Sequence, residues 1–186
     1  EALTSDHKLL TQSGEYEKIL VVLNRHVSSK ELAQNEKLLP VKITKSSLAP
    51  GLPQRDLWVS RQHRFFVSSP ICKRMFGQSD ALVSAIQLVQ LPGVFIDYDV
   101  DDVSYYHILL QKHEIVFAEG TPTESLFLGE YTLQSLSDAA REEVYTLFPD
   151  LVSQAATPTS AHLIPPTKLQ KNLIARHRKN NKPLLV

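Results

Sequence analysis

The chain has 186 residues and a mass of 20.9 kDa, with 42% apolar and 22% charged residues. That composition excludes a disordered chain and supplies enough apolar surface to bury a core without staples. Twenty Lys and Arg balance twenty Asp and Glu, which excludes a global nucleic-acid footprint, and no apolar run is long enough for a bilayer span or a signal segment. Neither nucleic acid nor membrane is therefore expected as a partner. The single cysteine, Cys72, excludes an internal disulfide and a cysteine-rich zinc site. A first residue of Glu1 in place of Met reads as a fragment or a processed product.

The early chain reads as short strands. Residues 18–23 (KILVVL) form an apolar run with β-branched residues behind a Ser13-Gly14 turn. Residues 39–44 (LPVKIT) alternate, with Val41 and Ile43 on one face, and the prolines and glycine of residues 48–53 break regular structure. Residues 57–67 (LWVSRQHRFFV) are apolar at both ends and polar in the middle, which predicts two short strands joined at Ser60-Arg61-Gln62-His63. Residues 81–91 suit helix or strand equally, and Pro92-Gly93 ends them. Asp97, Asp99, Asp101 and Asp102 cluster after them, but the glycine and glutamate that a calcium loop needs are missing, which leaves a solvated acidic loop. Residues 103–110 read as a strand, with Gln111-Lys112-His113 turning the chain and residues 114–118 returning it as a hairpin. Leu136, Ala139, Ala140, Val144 and Leu147 recur at helical spacing behind Ser137, predicting a helix over about residues 135–148. Residues 153–166 read as a linker. Residues 167–186 carry six Lys or Arg and no acid, and read as a basic, partly disordered end with a short helix over 169–178. Many short strands followed by helical segments predict a mainly β body with a C-terminal helical extension.

Phosphate-loop, dinucleotide and zincin motifs are missing, so no cofactor is expected. Of the seven histidines, His63, His107 and His113 stand out. Ser60 and His63 across a tight turn can address one peptide group, the imidazole holding or protonating its nitrogen and the hydroxyl assisting; the plainer reading is a histidine satisfied by backbone. His107 and His113 suggest a metal site or an acid–base pair, but no third ligand lies nearby, and no metal is expected. Cys72 has Lys73 and Arg74 beside it, which can lower a thiol pKa, but no base is placed to use it.

Four stretches, in order, carry a family resemblance: residues 1–27 (EALTSDHKLLTQSGEYEKILVVLNRHV), 39–53 (LPVKITKSSLAPGLP), 55–67 (RDLWVSRQHRFFV) and 106–125 (YHILLQKHEIVFAEGTPTES). Together residues 1–151 resemble the bacterial Hedgehog/intein (Hint) domains of alphaproteobacterial type, with residues 152–186 left as linker and basic tail. The resemblance implies a horseshoe-shaped all-β domain that cuts its own chain. A thiol or hydroxyl attacks the preceding carbonyl, and the resulting thioester or ester is opened by water or another nucleophile. It assigns His63 as base or amide activator, Ser60 as its hydroxyl partner where the family usually has threonine, His113 as second acid–base group and His107 as support, at a place where inteins often carry aspartate.

Two departures bear on activity. Glu124-Ser125 stands where inteins end in His-Asn, so the asparagine cyclisation that completes splicing is not expected. The family's opening strand, with the nucleophile, is expected upstream of Glu1, so this chain is expected to be inactive as it stands. The implied partner is the chain's own N-terminal flanking polypeptide. A sheet edge left open by a missing strand would take a second copy or a peptide. The alternative is a non-catalytic interaction module on a degenerate form of the fold.

Overall fold

The computed structural model describes residues 3–126 and 159–185. The chain divides into two compact units interleaved along the sequence. The first is Glu1–Arg25, Tyr106–Val116 and Ser125–Ala161, and the second is His26–Tyr105, Phe117–Glu124 and His162–Val186. As expected, the described chain is mainly β with a C-terminal helix.

In the first unit β1 (Lys8–Leu10) pairs antiparallel with β2 (Tyr16–Lys18), Leu9 facing Glu17. Gly14 turns the hairpin with φ +87, a conformation that favours glycine. The apolar run at 18–23 is not one strand. Ile19 and Leu20 round a corner, their N–H groups donating to His7 O (3.1 Å) and Leu109 O (2.9 Å). Strand β3 (Val21–Val27) starts beyond them. The corner drives Ile19 into a cluster with Leu110 and Val116, flanked by Leu9, Val22 and Ile108.

The hairpin expected over residues 103–118 does not form. Strand β9 (Val103–Leu109) pairs with β3, whereas β10 (Ile115–Ala118) pairs with β11 (Thr121–Glu124) in another sheet. The backbone shows why. Ile108 O accepts from Leu126 N–H (2.7 Å), Glu114 O from Ser125 N–H (2.9 Å) and Ile115 O from Gln12 N–H (2.8 Å), so these carbonyls are taken by other segments.

Two further sheets are built mainly from residues of the second unit. One has β4 (Val41–Ile43) between β5 (Leu57–Val59) and β8 (Val94–Ile96), with Val41 and Ile43 fully buried as their alternation predicts. The other runs β10-β11-β6-β7. Its β6 (Arg64–Ser68) registers residue for residue with β7 (Asp80–Ser84), and Phe65, Phe66 and Val67 are all buried. The two strands predicted over 57–67 are therefore present, but they belong to different sheets. Residues 81–91 are strand and then helix. The change falls after Ser84, and α3 (Ala85–Leu88) follows.

Two helices were not anticipated. Helix α1 (Ser29–Gln34) begins at Ser28, whose N–H donates to the Glu31 carboxylate at 2.9 Å. Helix α2 (Pro70–Phe76) carries full boundary chemistry: Ser69 Oγ accepts from Cys72 N–H, Pro70 opens the first turn, and Gly77 closes the helix at φ +77.

The basic end is not a solvated tail. Helix α4 (Thr167–Lys179) packs on α2 and α3 and buries Gln170, Leu173, Ile174 and His177. Leu173 and Ile174 join Phe65, Val67, Ile71, Cys72, Val83 and Leu88 in one core. Its basic residues Arg176, Arg178 and Lys179 lie in the last turn, where the helix dipole favours cations. Gln170 ties the helix to the sheet, its Oε1 accepting from Ser84 N–H (2.9 Å) and its Nε2 donating to Pro165 O (2.7 Å). The helix expected over 135–148, and residues 153–158 of the expected linker, lie outside the described residues. The rest of that linker is docked: His162 Nδ1 lies 2.7 Å from Asp80 Oδ1, and Leu82 N–H donates to Leu163 O at 2.8 Å.

The acidic loop is pinned at its first member, where Asp97 accepts from Trp58 Nε1–H (2.7 Å) and Asp99 N–H (3.1 Å). Among the described residues no group of three His, Cys, Asp or Glu is placed to hold a metal ion, and no helix is long and apolar enough to cross a membrane.

Candidate functional site

The turn between β5 and β6 is built from backbone. His63 N–H donates to Ser60 O (3.1 Å), Ala85 N–H donates to His63 O (2.8 Å), and Ile86 N–H donates to Arg61 O (3.0 Å). The Arg61 guanidinium reaches back to Leu39 O at 3.2 Å and to Glu36 O. The turn is thus held on both sides, and Ser60 meets His63 through its carbonyl.

The His63 ring is addressed from β11. Its Nε2 is hydrogen-bonded to Thr123 Oγ1, and its edge meets the Phe65 ring at 5.6 Å between centroids. Thr123 Oγ1 also donates to Arg64 O at 2.8 Å. Glu124, next on the strand, accepts from Arg64 N–H (2.9 Å) and forms an ion pair with the Arg64 guanidinium (2.9 Å). Two consecutive residues of β11 therefore hold both backbone polar groups of the residue after His63. Thr121, Thr123 and Glu124 are all buried.

His107 and His113 belong to the first unit. His107 is half-buried on β9. His113 Nδ1 accepts from Ala161 N–H at 3.1 Å, with Ser160 Oγ at 3.3 Å. An acceptor Nδ1 means that Nε2 carries the proton of the neutral ring. Ser125 also lies in this unit and closes a two-bond link with Glu114, its N–H donating to Glu114 O and its Oγ accepting Glu114 N–H at 3.0 Å.

Cys72 is fully buried, with Sγ 3.7 Å from Val67 O. Burial pushes its thiol pKa up. The cationic neighbours Lys73 and Arg74 are exposed, and their closeness in sequence does not activate the thiol.

Sequence reasoning missed Thr123 and Glu124 as partners of the turn, although both lie in the stretch TPTES that carries the resemblance. Their one available signal was polarity without glycine between two apolar segments. It also assigned nothing to His177, a buried imidazole joined to Ser69.

The site is thus a turn-borne histidine hydrogen-bonded to a hydroxyl on a neighbouring strand, within small antiparallel sheets. The family model described as Hint domain matches residues 1–130, and the chain belongs to the Hint domain family. No curated protein and no solved structure matches the chain.

Proposed function

We propose that this chain is a self-processing Hint domain of the bacterial Hedgehog/intein type, which opens a peptide bond on its N-terminal side by an acyl shift and does not splice. In the first step a thiol or hydroxyl adds to the carbonyl carbon of that peptide. The nucleophile's proton passes to the amide nitrogen, the C–N bond breaks to free an amine, and the acyl group stays as a thioester or ester. Water or another nucleophile then opens the ester and restores the thiol or hydroxyl. His63 is the amide activator and Ser60 its partner in the turn; His113 is the second acid–base group, and His107 supports it. The attacking group is not Cys72, because a buried, protonated thiol is no nucleophile. It belongs to the polypeptide on the N-terminal side.

Family membership together with the His63 turn is the observation that carries this reading. The end of the domain supports processing without splicing. Glu124 is bound to Arg64 and Ser125 to Glu114, and neither offers a carboxamide that could cyclise onto the chain. The test is to express the domain with its natural N-terminal flank. The expected result is a self-generated cleavage product that increases with added thiol and disappears in His63→Ala. A chain that stays intact under thiol overturns the reading.

One feature favours the second reading, a non-catalytic interaction module. Trp58 and Phe95 flank Lys42 across the open face of the β5-β4-β8 sheet, each more than two-fifths exposed. An intact flank-bearing chain that binds a protein partner, with binding lost in Trp58→Ala, would favour it.

A further inference from the structure

We propose that Thr123 is the positioning residue of His63: its hydroxyl decides which imidazole nitrogen carries the proton. The catalytic consequence rests on the self-processing reading; the protonation pattern does not.

A threonine hydroxyl has one hydrogen to donate and lone pairs to accept with. Thr123 Oγ1 lies 2.8 Å from Arg64 O, and a carbonyl can only accept, so the hydrogen points there. Toward His63 Nε2 the same oxygen can then only accept. Nε2 therefore bears the proton, and in the neutral ring the lone pair sits on Nδ1.

The arrangement is rigid enough to enforce that choice. Thr123 is 2% exposed, so water is poorly placed to compete for its hydroxyl. It faces Phe65 in the β11–β6 register, and Glu124 beside it clamps Arg64 N–H at 2.9 Å. The His63 backbone is fixed from the other side by Ser60 and Ala85. With both backbone groups of residues 63 and 64 engaged, the ring can turn only about its side-chain torsions, and Thr123 stands at the far nitrogen. The consequence for self-processing is that the ring meets the flanking peptide with its tautomer already set.

The test is nitrogen-resolved NMR of the imidazoles in the full chain above the pH at which His63 is protonated, with His63 assigned by its loss in His63→Gln. The expected spectrum shows His63 with the proton on Nε2. Thr123→Val, which keeps the shape and removes the hydroxyl, is expected to shift it toward the other tautomer or a mixture, and Thr123→Ser to restore it. Wild-type His63 carrying its proton on Nδ1 overturns the proposal, and that measurement stands even if Thr123→Val fails to fold. An unchanged tautomer in a folded Thr123→Val overturns it as well. In the flank-bearing chain, Thr123→Val is expected to slow cleavage about 100-fold, the scale of a misplaced reacting group, and Thr123→Ser to recover it. If the tautomer shifts but the wild type never cleaves, the self-processing reading fails and the positioning role stands. If cleavage occurs and Thr123→Val cleaves like wild type, the positioning role fails alone.

Discussion

Two imidazole–hydroxyl pairs in the second unit have opposite polarity. At His177 both ring nitrogens are consumed: Nδ1 meets Lys182 O at 3.2 Å and Nε2 meets Ser69 Oγ at 3.0 Å. The carbonyl fixes the proton on Nδ1, so Ser69 donates to Nε2, while its oxygen also accepts from Cys72 N–H and caps α2. The ring is fully buried and its pKa is pushed down, chiefly by burial. It is a neutral cross-link between the end of α4 and the start of α2. At His63 the hydroxyl accepts instead of donating, and the ring sits half-buried in a turn. The same two functional groups thus make a strut in one place and a candidate proton carrier in the other. What differs is the direction of the hydroxyl proton and access to solvent.

The contrast can be broken from either side. The largest expected effect is on chemistry: His63→Ala should reduce thiol-stimulated cleavage of the flank-bearing chain by about 100-fold or more, with only a small change in urea midpoint. His177→Ala should do the reverse, costing about 2–4 kcal/mol in urea unfolding through a cavity and a stranded Ser69 hydroxyl. A His177→Ala chain as stable as wild type would end its description as a strut. Next in size, Glu124→Ala leaves the Arg64 amide without its carboxylate and should cost about 1–3 kcal/mol, read from the same unfolding curve.

A smaller effect is expected from pH. His177 binds a proton more weakly folded than unfolded, where its pKa is near 6.5. Its full contribution to stability is present above that value. As pH falls below it, the unfolded chain takes up a proton that the folded chain refuses, and stability declines toward the folded-state pKa. His177→Gln should flatten this part of the midpoint-against-pH curve; an unchanged slope would assign it to other groups. The smallest effect is expected at Arg55, which pairs bidentately with Glu119 on the surface (2.8 and 2.7 Å) with its own side chain 78% exposed. Arg55→Ala should leave the midpoint within error, because solvent screens such pairs.

Much of the β framework was readable because it depends on near neighbours. The alternation of Val41 and Ile43 and the polar break at residues 60–63 were sufficient. The caps of α2, Ser69 and Gly77, are equally local signals. Strand β11 was not readable. Thr121, Pro122, Thr123 and Glu124 include no apolar alternation, and a proline removes one donor, so only its neighbours make it a strand. The 103–118 hairpin misled for a related reason: adjacency in sequence suggested pairing, while Leu126 and Gln12 hold carbonyls on either side of the bend.

The sequence by itself determined that this is a mainly β chain with a helix near its end, that it resembles the Hint family, and that His63 sits in a turn between strands. The strands and the turn follow from spacing within a few residues, where backbone geometry and side-chain alternation act directly, whereas the resemblance rests on four stretches taken in order. The tertiary structure decided which strands share a sheet, that the basic C-terminal segment is core, and that Thr123 meets His63 across 60 residues of chain. Such pairings depend on which distant backbone groups find each other once apolar faces are buried, and no local pattern encodes that choice.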